Sequence, residues 1–507
     1  MASMANGWVS RRPRALRALV ALALTLAGLA ACSSGHHAAT PTPETPPSTS
    51  VPTSAATTAS GTAPGSSVSC PLSASTAAGL SSPPTGLIAY RIYQPGQVPF
   101  VSQVFTDPFI NGVDFSVPWK DLEPALNQFN WAVLDCVFSQ ADQHGKFVVL
   151  TVVPGFETPA WVLALPGVMT QSFMFSYSND EPARPLPLPW NQPYLDSWFT
   201  FLATVAGRYE HNPAFRVIEV GGPTSVSTEM SLPDQTSGDT ALPPSTGGSD
   251  IAEWMKLGYT PATYVAAWKT TFAAYHRLFP DQYLALSLFP GLPIGNTGGM
   301  DPSSADSTPL DIIAAGLQYS QSLVLQENGL EGLAAPRPDP EYNFVKARCG
   351  SVVTGLQNAG MATAALRDKG TLSLDVGRAV AAGVDFLEVY QPDLVNPAVT
   401  GLLTSANAAL PANKGCAPLT LSAVPQAAAP GTPTTLTAVT DLDLARRENV
   451  NIFRGSELLR TCSSPTCSIP VSPALGTTTY SADVGAPGTP PSSDQAIISA
   501  STAVSRS

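Results

Sequence analysis

The sequence predicts an α/β chain, a (β/α)8 TIM barrel followed by a small all-β sandwich. Between Cys70 and about Gly415, eight short apolar runs alternate with helical segments, the order of a parallel barrel. From Ala417 onward the helical segments stop, and short alternating strands separated by Pro-, Gly- and Asp-rich turns replace them. A doubly wound open sheet is the competing arrangement. No glycine-rich phosphate fingerprint follows the first strand, which speaks against it.

Taken in order, the barrel strands are expected at Gly86 to Tyr93, Gly112 to Pro118, Lys146 to Pro154, Phe215 to Gly221, Tyr283 to Phe289, Leu323 to Gln326, Ser351 to Leu356 and Val384 to Tyr390. Helices are expected around Trp131 to His144, at Tyr194 to Tyr209, Pro261 to Phe279 and Asp375 to Ala382. The sandwich strands are expected at Leu419–Ala423, Thr434–Val439, Val450–Arg454, Ser456–Thr461, Thr466–Pro470 and Thr477–Val484. This second unit resembles bacterial Ig-like modules, which space or bind. The expected division is 70–415 for the barrel and 416–507 for the sandwich.

The first 69 residues carry a different signal. Arg11, Arg12, Arg14 and Arg17 precede an apolar run, Ala18 to Ala30, of signal-peptide length and too short to span a membrane comfortably. Leu29-Ala30-Ala31-Cys32 closes the run as a lipobox does. Residues 1–32 thus resemble a bacterial lipoprotein signal, which implies lipidation of Cys32, export and a membrane partner through the lipid. An ordinary secretory signal is the alternative. Residues 33–69, rich in Ser, Thr and Pro, cannot bury enough apolar surface to offset their ordering entropy and read as an extended linker.

Net charge is -12 and charged residues make up 12% of the chain, without a basic stripe, so nucleic acid is not an expected partner. Besides Cys32 the cysteines are Cys70, Cys136, Cys349, Cys416, Cys462 and Cys467, an even set that suits disulfides outside the cytoplasm. Cys462 and Cys467 flank the turn-like Ser-Ser-Pro-Thr and are expected to pair. The pairing of the other four stays open.

Catalytic groups of such barrels lie at the C-terminal ends of the strands. His144, His211 and His276 all fall in or beside helices, so neither a histidine-dependent nucleophile nor a histidine-ligated metal is expected, and nothing calls for a cofactor. Carboxylates, amides and aromatic rings do gather at strand ends: Trp119, Asp121 and Glu123; Phe156, Glu157 and Trp161; Glu229; Glu327 and Asn328; Gln357 and Asn358; Glu388, Tyr390 and Asp393. A carboxylate pair cleaves glycosidic bonds, aromatic faces stack on sugar rings, and amides satisfy hydroxyls. The expected partner is therefore a carbohydrate.

GVDFSVPWKDLEP, FNWAVLDCVFSQADQHGKFVVLTVVPG with TPAWV, and WFTFLATVAGRYEHNPAFRVIEVGGP resemble clan A glycoside hydrolases, the β-galactosidase-like and cellulase-like members above all, over about Gly86 to Pro397. That clan ends strand four in Asn-Glu and strand seven in a nucleophilic glutamate. Here those places read Gly221-Gly222-Pro223 and, near the second, Gln357. The following Gly-Pro-Thr-Ser-Val-Ser-Thr-Glu229 resembles instead the β-amylase loop, where the acid glutamate follows Gly-Pro closely. The resemblance implies Glu229 as proton donor. Glu327 is the preferred base. Glu388 is the other candidate, because Phe386, Glu388 and Tyr390 share one face of strand eight, and it is alternatively a structural partner of Arg91 or Lys120. Trp119, Asn328, Gln357, Glu388 and Tyr390 are expected to bind substrate, and Glu123 and Glu219 to be structural. Two readings follow: an envelope-anchored glycoside hydrolase, or a non-catalytic carbohydrate-binding or surface lipoprotein on a degenerate hydrolase barrel.

The lipobox yields a first prediction. The wild-type chain should fractionate with membranes, and Cys32→Ala should escape processing by lipoprotein signal peptidase. Equal release of both proteins into the medium would remove the anchor.

Overall fold

The computed structural model describes residues 70–506 apart from 75–78, 176–180, 236–243, 245–247, 289–307, 333–339, 362–370, 413–418, 443, 445–448, 486–487 and 489–497. The signal segment with Cys32, the 33–69 linker, the 415/416 boundary and Cys416 lie outside the described residues.

Eight parallel strands close into a barrel: β1 (Gly86–Ile92), β2 (Ile110–Pro118), β3 (Phe147–Val153), β4 (Phe215–Glu219), β5 (Tyr283–Leu288), β6 (Leu323–Leu330), β7 (Val353–Asn358) and β8 (Phe386–Tyr390). Each pairs with its neighbours in sequence, and β8 returns to β1. Every boundary falls within two residues of expectation except the end of β6, which runs on to Leu330 and so takes Glu327 and Asn328 into the strand. The main helices around the barrel are α1 (Ala132–Gln143), α2 (Gln192–Tyr209), α3 (Pro261–Leu278), α4 (Thr308–Leu317), α5 (Pro340–Arg348), α6 (Leu372–Ala382) and α7 (Thr400–Ala412). Local chemistry starts them: Asn191 Oδ1 accepts the Tyr194 N–H at 3.2 Å, and Thr260 Oγ1 accepts the Thr263 N–H at 3.0 Å just before Pro261.

Strand residues alternate between two cores. Val113, Phe115, Val148, Leu150, Leu284, Leu325, Leu356 and Leu387 face the helices. Ile88, Phe147, Val149, Val217, Tyr283, Ala285, Val324 and Phe386 fill the lower barrel interior, in layers drawn from alternate strands. Two phenylalanines fit there because a glycine stands beside each. A Cβ on Gly112 would lie 2.5 Å from the Phe147 ring, and one on Gly355 would overlap the Phe386 ring.

The C-terminal unit contains a three-stranded sheet and a five-stranded sheet. The first orders β9 (Leu419–Val424), β11 (Thr434–Thr440) and β14 (Thr466–Val471). The second orders β10 (Ala427–Ala428), β16 (Ile498–Arg506), β15 (Gly476–Gly485), β12 (Asn449–Arg454) and β13 (Glu457–Cys462). Leu436 and Ala438 from the first sheet, and Val450, Ile452, Tyr480, Ala482 and Val504 from the second, are buried. The chain's end finishes a strand, pairing with β15 from Ile498 to Arg506. Cys462 bonds Cys467, as expected, and Cys70 bonds Cys136 in α1.

The ring-against-glycine packing gives a prediction. Gly355→Ala should destabilise the barrel by about 1–3 kcal/mol, the range for overpacking a filled core. Gly207→Ala in α2, where an added Cβ meets nothing within 4 Å, should cost nothing. Equal urea midpoints for the two variants would refute the packing argument.

Candidate functional site

Above the apolar layers the interior turns polar. Asp114 from β2, Glu219 from β4, Gln326 from β6 and Glu388 from β8 form one layer from the even strands, all at most 2% exposed. Asp114, Glu219 and Glu388 each bring an oxygen within 4.8 Å of the other two. Among the described residues, this is the group able to ligate a cation. The next layer comes from odd strands: Tyr90, Thr151, Ser287 and Gln357. Thr151 Oγ1 donates to Asp114 Oδ1 at 2.9 Å, and Gln357 Nε2 and Gln326 Nε2 donate to Glu388 Oε2 at 2.8 and 2.7 Å.

Three carboxylates in a dry interior cannot all stay ionised, because burial strips their hydration and each repels the others. Asp114 Oδ2, Glu219 Oε1 and Glu388 Oε1 have no donor in full hydrogen-bond geometry. The Ser287 and Thr151 hydroxyls lie against Glu219. The Asp114 and Glu388 carboxyls lie against each other, where one proton serves both. Burial, then the charges of Glu388 and Glu219, hold the Asp114 carboxyl well above its ordinary range. Burial and then Glu219 push Glu388 up to about 8. Burial pushes Glu219 up to about 7, with the neighbouring Glu229 adding to it and the Thr228 hydroxyl opposing.

The end of β4 is held by aromatic side chains from α2 and α3. Trp198 Nε1 donates to Gly221 O at 2.8 Å, Tyr194 OH to Gly222 O at 2.7 Å, and Tyr264 OH to Pro223 O at 2.7 Å. Gly222 has φ +142°, a conformation reserved for glycine, and a Cβ there would meet Trp198 at 3.1 Å. The segment after it, through Gln235, is buried almost throughout. It is pinned by Phe156 N–H to Ser225 O (2.9 Å), by Met230 N–H to Ser287 O (3.2 Å) and by the Thr228 hydroxyl, which donates to Glu219 Oε2. Glu229, next in the chain, is 8% exposed.

The expected site residues divide accordingly. Glu388, Gln357, Asn328 and Tyr390 lie at the upper interior: Asn328 Oδ1 accepts from Gln326 Nε2 at 2.9 Å, and Tyr390 meets Tyr90 edge to face at 5.0 Å. Glu327 does not join them. Ser287 pairs with Gln326 and Leu288 with Glu327, so Gln326 faces inward and Glu327 faces the helical side, where its carboxylate accepts the Gly329 N–H. Trp119 is likewise corrected. It is fully buried against Trp198 and Phe201, and its Nε1 donates to Glu123 Oε2 at 3.1 Å, leaving no ring face for a sugar. Glu123 is structural, as expected. Glu388 pairs with neither suggested cation, since Arg91 binds Gln97 and Lys120 binds Glu157. Glu219, expected to be structural, stands with Asp114 in the centre of the polar layer. Strand alternation is the signal that finds both.

The layer's protonation predicts a pH dependence. Carboxyls whose pKa is raised by folding stabilise the fold fully below their unfolded values, near 4. That stability is lost as pH rises through about 7 for Glu219 and about 8 for Glu388. The melting temperature should therefore fall between about pH 5 and about pH 9, and Glu388→Gln should flatten the fall. A variant as pH-sensitive as wild type would refute the assignment.

No protein-family model matches the sequence, and no curated protein is similar to it in sequence. Solved structures similar to this one include a β-galactosidase from the psychrophilic Marinomonas ef1, at 12% identity and TM-score 0.38 over 60% of this chain and 54% of that one. An endo-β-1,4-xylanase from Gloeophyllum trabeum shares 12% identity, with TM-score 0.36 over 65% and 96%. Endo-glycoceramidase II from Rhodococcus sp. shares 16%, with TM-score 0.37 over 77% and 97%. The chain spans between 52% and 59% of the length of the first three β-galactosidases it matches.

Proposed function

We propose that the barrel is a glycoside hydrolase, held at the envelope by a lipid on Cys32, that cleaves an oligo- or polysaccharide with Glu229 as proton donor. The observation that supports this is the carboxylate layer in the upper barrel with Glu229 beside Glu219, two neighbouring carboxyls of which one is favoured to hold a proton. Hydrolysis needs one carboxylic acid to protonate the departing oxygen as the C–O bond breaks. It also needs one carboxylate to take a proton from the water that attacks the sugar carbon. Glu229 fills the first role. Glu388, which faces the interior as Glu327 does not, fills the second in its ionised form, so turnover should rise as pH climbs toward about 8.

The second reading, a non-catalytic carbohydrate-binding or surface lipoprotein, is favoured by closure. Asp114, Glu219 and Glu388 are at most 2% exposed, and the segment carrying Glu229 is packed down over β5.

Reducing-sugar release from a panel of plant and bacterial polysaccharides separates the two. Glu229→Gln should lower turnover by about 10²–10⁴, the size of a general-acid contribution, while retention in affinity gels containing the same polysaccharide survives. Unchanged turnover would refute Glu229 as the acid. Retention without release by wild type would establish the second reading.

A further inference from the structure

The opposite, N-terminal face of the barrel carries a pocket of about 340 Å³ that includes Thr85, Asn111, Lys146, Phe147 and Arg216 in its lining. Two of these residues reach it through irregularities in the strand ladder. Along β3 and β4, Val148 pairs with Phe215 but Val149 pairs with Val217, so Arg216 is an extra residue in a bulge. Along β1 and β2, Leu87 pairs with Ile110 but Ile88 pairs with Gly112, so Asn111 is a second one. A bulge turns a side chain away from the direction that regular alternation would give it. Here it turns the Arg216 guanidinium to lie over the Phe147 ring, 4.7 Å from its centroid, rather than among the helices.

The cations gathered there form no close ion pair among the described residues, and the Asp107 charge reaches Lys146 only from a distance. Lys146 Nζ donates to the carbonyls of Asp107 and Ile110 at 2.9 and 2.5 Å, two of its three hydrogens. Asp107's carboxylate accepts from Gln103 instead. Among the described residues neither Lys146 nor Arg216 forms an ion pair, and the Arg216 Nε–H is buried with no acceptor. A guanidinium fork beside an ammonium recognises planar or tetrahedral oxyanions.

We propose that this pocket is a binding site for a small oxyanion, a carboxylate or a phosphate, held by the Arg216 fork and the remaining Lys146 hydrogen. The site is independent of the chemistry assigned to the upper barrel, and its test reads binding rather than hydrolysis. Lys146 also ties the β2 entry together, so the test substitutes Arg216. Titration calorimetry on the full chain, with sodium phosphate in one arm and sodium acetate in the other at matched ionic strength, distinguishes the two sources. At least one anion should give a single-site isotherm. Arg216→Gln should weaken it at least about tenfold, and Arg216→Lys, which keeps the charge and loses the fork, should fall between. If Arg216→Gln melts early, Arg216→Lys carries the comparison. Binding of neither anion by wild type would overturn the proposal, as would undiminished binding by the folded variant.

Discussion

The volume inside eight closed strands is fixed, and everything in this barrel depends on how that volume is filled. An eight-stranded interior has room for side chains and nothing else. Here the lower layers are filled by Phe147 and Phe386, whose rings occupy the space left by Gly112 and Gly355. Because that floor is apolar and tightly packed, the polar layer above it has no water beneath. The same packing that closes the barrel therefore places Asp114, Glu219 and Glu388 in a dry environment and lifts their proton affinity. Stability and site chemistry are two results of one filling pattern.

The helices supply the second element of the site. Trp198, Tyr194 and Tyr264 are buried against the barrel and contribute apolar area there, yet each gives its one polar hydrogen to the turn after β4. The turn therefore has little choice of path, and Thr228 and Glu229 follow it down to Glu219. Positioning of Glu229 is thus a property of α2 and α3 as much as of its own segment.

The barrel was legible in the sequence because eight apolar runs survive any small error at their ends. The site was legible only where strand alternation was applied. Phe386, Glu388 and Tyr390 were seen to share a face, and they face the interior. The same step applied to Gly112, Asp114 and Ser116, or to Val217 and Glu219, would have added two carboxylates. Applied with the true length of β6 it would have exchanged Glu327 for Gln326. A short apolar run does not show where its polar continuation ends, so Glu327 and Asn328 read as a strand end. Trp119 misled for another reason: a ring near a strand end reads as a sugar platform, and nothing local shows that Trp198 and Phe201 cover it. The bulges at Asn111 and Arg216 arise from the register between paired successive strands and have no local signature.

The Cys70–Cys136 bond joins the first described residue to α1 on the outside of the barrel, across 66 residues of sequence. It does so ahead of β1, which begins at Gly86. Tension applied to the chain upstream of Cys70 passes through a covalent crosslink into a helix before it reaches the first barrel strand. β1 lies between β2 and β8, where a pull along its axis would otherwise shear two ladders at once. With the crosslink intact, the leading segment can be loaded mechanically while the strand that closes the barrel bears none of the force.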